Sequence, residues 1–270
     1  MPTWDYKKDI DYKSIKKEKV EKDELLFYMV CIASFIEITS KTYADNLCEY
    51  YKDNSNIVNW LKNDWEKEEV QHGKSLKKYV NEVWSEFDWE KGYERFLELY
   101  LPLCKPEALQ PSKGLEMVAR MIVETGTSTF YRAIENYASL LDEPVLQKLA
   151  HNIYKDEVHH YSYFDKFYNF YNKEEKLSRK TVLSIIAKRL KEVNSEDVEM
   201  AFRTIYENKH SGSFDKQAYD DFLKNINKMA SQHYPYNMAI KMMIHPLRMN
   251  KMVESSMVPI VRGAMKVLGI

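Results

Sequence analysis

The sequence predicts an all-α protein: a four-helix bundle with a long crossover connection and additional C-terminal helices. Only seven Gly and eight Pro occur in 270 residues, which is typical of long helices rather than of many turns. Short polar breaks near residues 53 and 140 interrupt long apolar stretches. A pattern of acids and histidines on these stretches occurs twice along the chain.

The composition is that of a soluble globular protein, with 44% hydrophobic and 30% charged residues. A net charge of -1 argues against a dedicated nucleic-acid binder, which normally carries a basic excess. Cys31, Cys48 and Cys104 are unclustered, so a cytoplasmic protein without a disulfide framework is expected. The uncharged run from Leu25 to Ile36 is too short to span a bilayer, so no membrane span is predicted.

Apolar periodicity and polar breaks place the bundle helices. Two hairpin turns are predicted, one at residues 53–56 and one at residues 141–144. Several prolines between the hairpins prevent one continuous helix, so that segment is predicted as the crossover. The predicted ranges are 21–51 and 57–84 for the first hairpin, 85–112 for the crossover with a short helix at 90–100, and 112–141 and 143–171 for the second hairpin.

The pattern shortens after residue 175, where Ser178, Ser195 and Ser213 are predicted to cap three further helices. The tail from Met238 to Ile270 is rich in Met. It is interpreted either as an apolar lining over a substrate tunnel or, preferably, as terminal helices packed on the bundle or a second subunit. The predicted domains are residues 1–175, a bundle with its N-terminal lead-in, and residues 176–270, a helical extension packed on the bundle.

Two Glu-x-x-His motifs carry the strongest chemical signal: Glu69 with His72, and Glu157 with His160. Residues i and i+3 lie on one face of a helix, so each motif can offer a carboxylate and an imidazole to one metal ion. Either motif alone is weak, because a single acid on a helix is usually a solvated surface charge.

Glu37 and Glu124 strengthen the signal because each interrupts an otherwise apolar stretch. Burial of a lone carboxylate is costly unless it is paired or bound to a metal. With turns near residues 53 and 140, Glu37 lies level with Glu69, and Glu124 lies level with Glu157. Each hairpin therefore brings three ligands together, and the second repeats the first at an offset of 87 (37 to 124) or 88 (69 to 157) residues.

Two lone glutamates and two Glu-x-x-His pairs form the ligand set of ferritin-like carboxylate-bridged di-iron proteins. Carboxylates with one imidazole per metal suit two iron ions, or manganese or a mixed pair, whereas structural zinc sites favour thiolates. Six ligands leave open positions on two metals, where O2 can bind as co-substrate. The predicted ligands are Glu37, Glu69, His72, Glu124, Glu157 and His160.

The sequence around these ligands resembles the soluble acyl-acyl-carrier-protein desaturases. Residues 65–79 read W-x-x-E-E-x-x-H-G-x-x-L-x-K-Y, which is similar to the second bundle helix of that family. Residues 124–127 resemble its Glu-x-x-Thr motif, and residues 156–160 resemble its Asp-Glu-x-x-His motif. The resemblance extends over about residues 25 to 170 and implies a ferritin-like di-iron oxidase with the same six ligands.

The resemblance also implies that Thr127 lies beside the oxygen site and that Asp156 orients a ligating histidine. The chain departs from the family in being shorter than the plant enzymes, in the bulky Phe130-Tyr131-Arg132 segment and in the extra histidine His159. These departures bear on the acyl substrate more than on the metal site.

The predicted activity is an O2-dependent oxidation, a desaturation or hydroxylation, of an apolar chain such as an acyl-acyl-carrier-protein or a fatty acid. Glu69 and Glu157 are expected to bridge the metals. Thr127 either relays a proton to the oxygen species or bonds back to its own helix. Asp156 and Glu68 are candidates to accept the second imidazole N–H, with surface charge as the alternative for Glu68.

The expected partners are an electron donor such as a ferredoxin, an acyl carrier protein and a second copy of the chain in a homodimer. An acidic carrier protein needs a basic face, although solvated helix charges are the commoner explanation of such a run. The candidate face consists of Arg179, Lys180, Lys188, Arg189 and Lys191.

Other functions are compatible with the same residues. A ferritin-like oxidase or N-oxygenase of another small molecule shares the ligand set, as does a ferroxidase or iron-binding protein. A ribonucleotide-reductase-like radical subunit usually has Asp where this chain has Glu37. A non-enzymatic helical scaffold requires the six ligands to be accidental.

Overall fold

The computed structural model describes residues 3–104, 109–192 and 196–268 of the chain. Within these ranges every regular element is helical, which confirms the predicted all-α class. The α-helices are α1 (Lys17–Val20), α2 (Glu24–Tyr50), α3 (Ser55–Trp60), α4 (Glu66–Val83), α5 (Trp89–Tyr100), α6 (Lys113–Leu140), α7 (Pro144–Glu175), α8 (Arg179–Glu192), α9 (Glu196–His210), α10 (Lys216–His233), α11 (Tyr236–Ile244) and α12 (Lys251–Leu268).

The chain divides into two compact units. Unit 1 comprises Met1–Ala108, Ile134–Ile153 and Ser195–His233, and unit 2 comprises Leu109–Ala133, Tyr154–Asn194 and Tyr234–Ile270. Helices α6 and α7 therefore contribute residues to both. The predicted division of the chain at residue 175 stays a prediction.

Helices α2 and α4 of unit 1 pack against each other and run antiparallel. Near their connection Lys62 forms ion pairs with Asp45 and Glu66, and one turn beyond Glu69 the imidazole of His72 lies against Glu37. Residues later in the sequence of the second helical segment thus contact residues earlier in α2. This confirms the hairpin predicted from the apolar pattern.

The turn of this hairpin lies where it is predicted. Helix α2 ends at Tyr50, and Asn54 caps α3 by accepting a hydrogen bond from the backbone N–H of Ile57 at 3.3 Å. Helices α3 and α4 are joined by a π-helical turn, Leu61–Trp65, so the predicted second helix exists but is not uniformly α-helical. Such a turn accommodates one extra residue and is frequent beside functional sites.

Aromatic side chains fill the core where α9 and α10 pack on α2 in unit 1. The rings of Tyr28 and Phe202 stack with centroids 4.5 Å apart, and Phe222 lies edge-on to Tyr28. Helix α5 of the predicted crossover packs on α9 and covers Phe35 of α2 with Trp89. Residues 105–108 of the crossover lie outside the described residues.

Helices α6 and α7 of unit 2 are also antiparallel. Gly114, Thr127 and Arg132 of α6 contact Glu175, Glu157 and Tyr154 of α7, in that order. The carboxylate of Glu175 accepts hydrogen bonds from the N–H of Gly114 and the hydroxyl of Ser112, so the last residue of α7 caps the first turn of α6. A methyl group on Gly114 would lie 2.6 Å from this carboxylate, which explains the glycine.

The second predicted turn is confirmed in unit 1 between α6 and α7. Asp142 adopts the left-handed conformation with φ of 57°, and Pro144 begins α7, as is common at the first helical position. Glu143 is fully buried and accepts hydrogen bonds from the Leu146 N–H at 2.5 Å and the Tyr79 hydroxyl at 3.0 Å.

The C-terminal helices partly follow the prediction. Ser178 caps α8, since its hydroxyl accepts a hydrogen bond from the Thr181 N–H at 3.1 Å. The assignment of Ser213 as a cap is wrong, because α10 begins at Lys216 and Asp215 accepts the N–H of Gln217 at 2.8 Å. A carboxylate closer to the apolar run outcompetes the serine. Ser195 lies outside the described residues.

Among the described residues one helix, α2, has the length and hydropathy to cross a membrane. Its most apolar window is 72% buried, as in the core helix of a soluble protein. Glu37 also interrupts it. The apolar character of α2 is thus accounted for by packing.

Candidate metal centre

Three of the predicted ligands come together on α2 and α4. Glu69 and His72 are three residues apart and therefore share one face of α4, and all three side chains are buried. The Nδ1 atom of His72 lies 3.6 Å from Oε2 of Glu37. This separation exceeds a normal N–H···O hydrogen bond but suits two atoms bound to one ion, since ligands at about 2.1 Å lie roughly 3 to 3.6 Å apart.

Two contacts position His72. The following residue, Gly73, lies so close to α2 that an added Cβ would be 2.5 Å from the backbone nitrogen of Ile38, the neighbour of Glu37. Because no side chain intervenes, α2 and α4 approach each other closely at the level of the ligands. On another side the indole of Trp4 lies nearly parallel to the imidazole of His72, with ring centroids 6.2 Å apart and an interplanar angle of 11°.

The other three predicted ligands come together on α6 and α7. The Nδ1 atom of His160 lies 3.6 Å from Oε2 of Glu124 and 3.9 Å from Oε2 of Glu157. All three residues are at most 2% exposed. The same imidazole nitrogen faces a carboxylate at the same distance in both trios, so the internal repeat seen in the sequence is also a repeat in geometry.

Thr127 contacts one of these ligands directly. Its hydroxyl donates a hydrogen bond of 2.6 Å to Oε2 of Glu157, while the carbonyl oxygens of Val123 and Glu124 lie at 3.3 Å. The short bond to a carboxylate is the stronger interaction. Thr127 is only half-buried, whereas the six ligands are buried, so its hydroxyl is more accessible than they are.

The six residues form two overlapping groups that satisfy the distances of metal sites. Glu37, Glu69, His72 and Glu157 each offer a ligand atom within 4.8 Å of the others, and so do Glu69, Glu124, Glu157 and His160. Every member is buried, and Glu69 and Glu157 belong to both groups. These two are the carboxylates that the sequence predicts as bridges; metal binding itself stays a prediction.

The chemistry of the donors fits a cation. Burial, and then the neighbouring Glu157 carboxylate, raises the pKa of Glu124 well above its usual range, although His160 acts in the opposite direction. Buried carboxylates that repel one another are stabilised when a metal ion neutralises them. The donors are carboxylate oxygens and imidazole nitrogens, which suit iron or manganese.

The two supporting acids are also buried. Glu68 is 4% exposed and Asp156 is 3% exposed, so the alternative of surface charge for Glu68 is wrong. Their predicted role as acceptors for the imidazole N–H groups stays a prediction. His151, His210, His233 and His245 belong to neither group among the described residues.

Sequence reasoning did not connect Trp4 with the metal centre. Trp4 lies in a charged lead-in, where apolar periodicity gives no signal for its partner. Its contact with His72 joins residues 68 positions apart (4 to 72).

Comparisons of the chain with protein-family models, with curated proteins and with solved structures give no match. The desaturase resemblance therefore stays an expectation, and the function is inferred from the donor groups themselves.

Proposed function

We propose that the chain is a ferritin-like di-iron oxidoreductase that uses O2 to oxidise an apolar organic substrate, of which an acyl chain on a carrier protein or a free fatty acid is the leading candidate. The observation that carries this proposal is the pair of buried donor groups that share Glu69 and Glu157. Two groups with common carboxylates suit two metal ions bridged by those carboxylates better than two independent ions.

In this proposal Glu69 and Glu157 would be shared by the two metals, Glu37 and His72 would complete the donors of one ion, and Glu124 and His160 would complete those of the other. When bound in the reduced state, two iron ions would supply the chemistry of O2 activation. Manganese or a mixed pair fits the same donors. A ferredoxin-like donor is proposed to return the electrons.

The residues around the ligands have separate tasks. Thr127 fixes the orientation of Glu157 through its 2.6 Å hydrogen bond, and its half-buried hydroxyl is placed to move a proton between Glu157 and the substrate side. The ring of Trp4 lies nearly parallel to that of His72 and is proposed to limit access of water from that side. Glu68 and Asp156 are proposed to hold the tautomers of the two imidazoles.

A basic face on α8 is proposed to receive the carrier protein. Lys180 and Lys188 are exposed there, whereas Arg179 already donates hydrogen bonds of 3.0 Å to the carbonyl oxygens of Leu247 and Arg248. Lys180 is therefore a better candidate than Arg179 for contact with an acidic partner. A second copy of the chain is proposed as a further partner.

The proposal is tested by loading the full-length protein anaerobically with Fe(II), measuring metal per chain, and adding O2 with a chemical reductant. Acyl-carrier-protein thioesters, free fatty acids and small aromatic amines are offered, and products are identified by mass spectrometry. We expect two metals per chain, substrate-dependent O2 consumption and an oxidised product. Iron oxidation without any oxidised product, in a large closed assembly, would instead identify a ferroxidase; absence of metal binding contradicts the proposal.

Replacement of Thr127 by Val is expected to keep both metals but to slow product formation. Loss of a hydrogen bond to a charged group corresponds to roughly 10- to 100-fold in rate. We also expect more O2 consumed per product, because proton delivery becomes the slow step. The measurement is the ratio of product to O2, with kcat and KM determined separately.

Thr125→Val is the matched control, since the Thr125 hydroxyl donates its hydrogen bond back to the Met121 carbonyl of the same helix at 2.7 Å. Thr127→Ser restores the hydroxyl and is expected to restore coupling. Wild-type coupling in Thr127→Val assigns this residue to packing alone.

A further inference from the structure

Helix α11 lies across the segments of α6 and α7 that follow the ligands in unit 2. On α6, the hydroxyl of Ser128 contacts Sδ of Met242 at 3.8 Å, and Thr129 bonds to the Tyr234 hydroxyl at 2.8 Å. On α7, Tyr161 donates a hydrogen bond of 2.8 Å to the Met242 carbonyl. Ser128 is one turn beyond Glu124 on the same face, and Tyr161 directly follows His160.

Helices α11 and α12 form their own small core. Ile240 and Ile244 of α11 and Val258 of α12 are buried together. The connection between the helices passes through a 3-10 turn, His245–Leu247, and then through Arg248, whose φ of 50° lies in the left-handed region. The two helices therefore pack on each other as one small unit.

An ionic cluster fastens this connection to α7. Arg248 Nη2 donates to Oδ1 of Asp165 at 2.5 Å, and Nη1 lies 2.8 Å from Nε2 of His245. His245 Nε2 also lies 3.5 Å from Oδ2 of Asp165, and its Nδ1 lies 3.8 Å from Glu254 of α12. The guanidinium packs over the ring of Tyr168 at 4.9 Å.

The nitrogen Nε2 of His245 has two partners that exclude each other. Neutral imidazole can accept a hydrogen bond from Arg248 at this atom, whereas protonated imidazole must donate from it and therefore turns to Asp165. With His245 charged, the cluster holds two positive and two negative groups and is balanced. With His245 neutral, one negative charge is in excess.

We propose that α11 and α12 form a movable cover over the segments of α6 and α7 next to the ligands, and that the contacts among Asp165, His245, Arg248 and Glu254 form its latch. Release of the latch uncovers Ser128 and the adjoining face of α6. Under the proposed function this is the step that admits an apolar substrate. The cover itself does not depend on that function.

The charges set the pH at which the latch holds. The groups facing His245 are Asp165, Arg248 and Glu254, with the ring of Tyr161 at 6.5 Å. A hydrogen bond to Asp165 is the main cause that raises the pKa of His245. The stabilisation of the latch by protonated His245 is therefore complete below pH 6.5 and is lost as the pH rises through the raised pKa. Burial alone would raise the pKa of Asp165, but hydrogen bonds from His245 and Arg248 lower this pKa overall. The stabilisation of the latch by ionised Asp165 is therefore lost only in acidic solution. The latch is therefore tightest in mildly acidic solution and loosens as the pH rises through the raised pKa of His245.

The latch is tested by hydrogen exchange with mass spectrometry on the full-length protein, with and without metal. Asp165→Asn keeps the volume and removes the charge, so exchange in α11 and α12 is expected to accelerate about tenfold, with α2 and α4 unchanged. Asp220→Asn breaks only the exposed ion pair with Lys216 and is the control. Unchanged exchange in α11 and α12, or equal acceleration in every helix, overturns the proposal.

The cover is tested by labelling Ser128→Cys with a maleimide, since Ser128 is fully buried in the closed arrangement. We expect Asp165→Asn to accelerate labelling of this position, and higher pH to do the same after correction for thiol ionisation. Equal labelling rates with and without the latch overturn the cover. Neither measurement requires bound metal, so a failed metal assignment leaves both interpretable.

Discussion

Replacement of Glu157 by Ala is expected to remove nearly all metal from the protein, whereas Glu124→Ala is expected to remove about one of two ions. The reason is that Glu157 belongs to both donor groups and Glu124 to only one. If the proposed metals are bound, each would lose a ligand in the first variant, which leaves three donors in each group. Metal per chain after loading and desalting is the measurement.

A second variant separates metal binding from folding. Glu157→Gln keeps the shape but removes a charge that opposes ionisation of Glu124, so the metal-free protein is expected to be at least as stable as wild type. Its stabilisation by metal is expected to disappear, a loss of about 2.7 kcal/mol when free metal is 100 times the wild-type Kd. Thermal unfolding with and without metal measures both.

Glu174 offers a control because it is an exposed acid on the same helix, α7. Glu174→Ala is expected to bind two metals with wild-type stability. If Glu157→Ala keeps its metals, or if Glu174→Ala loses them, the assignment of the bridge is wrong.

Replacement of Gly73 by Ala is expected to destabilise the protein and weaken metal binding together. The new Cβ would lie 2.5 Å from both the backbone nitrogen and Cγ1 of Ile38. A side-chain atom can rotate away, but the backbone nitrogen moves only if α2 and α4 separate. Overpacking of this kind costs about 1–3 kcal/mol, which exceeds the gain of about 1 kcal/mol from alanine in a helix.

The separation also affects the site, since Ile38 and Gly73 adjoin Glu37 and His72. We expect Tm to fall by several degrees and metal affinity to fall with it. Gly126→Ala is the matched control: it lies two residues from Glu124 in α6, and its added Cβ would meet nothing within 4 Å. That variant is expected to gain up to about 1 kcal/mol. The same sign of change in both variants contradicts the proposed close approach of α2 and α4.

The grouping of the six predicted ligands and the positions of both hairpin turns were accessible from sequence because they obey fixed spacings. Acids that interrupt apolar stretches, and histidines three residues beyond acids, mark one helix face without knowledge of the fold. The hairpin turns follow from the requirement that Glu37 lies at the same level as Glu69, and Glu124 at the same level as Glu157, on neighbouring antiparallel helices. Thr127 was accessible for the same reason, as it is one turn from Glu124.

Other features depend on contacts that leave no periodic trace. The π turn Leu61–Trp65 changes the hydrogen-bond register while the residue pattern still reads as helix. The true cap of α10 depends on the competition between Ser213 and Asp215, which is decided by where the helix begins. The cluster around His245 joins α7 to a connection about 80 residues further on (165 to 245), and only the fold brings these side chains together.

The carboxylate of Glu175 affects how the hairpin of α6 and α7 unfolds. It ties the final residue of α7 to the opening amides of α6, so fraying at either end removes the support of the other. A recombinant fragment that ends before residue 175 would therefore fray at the end of α7 and at the start of α6 together. A minimal bundle must retain this residue.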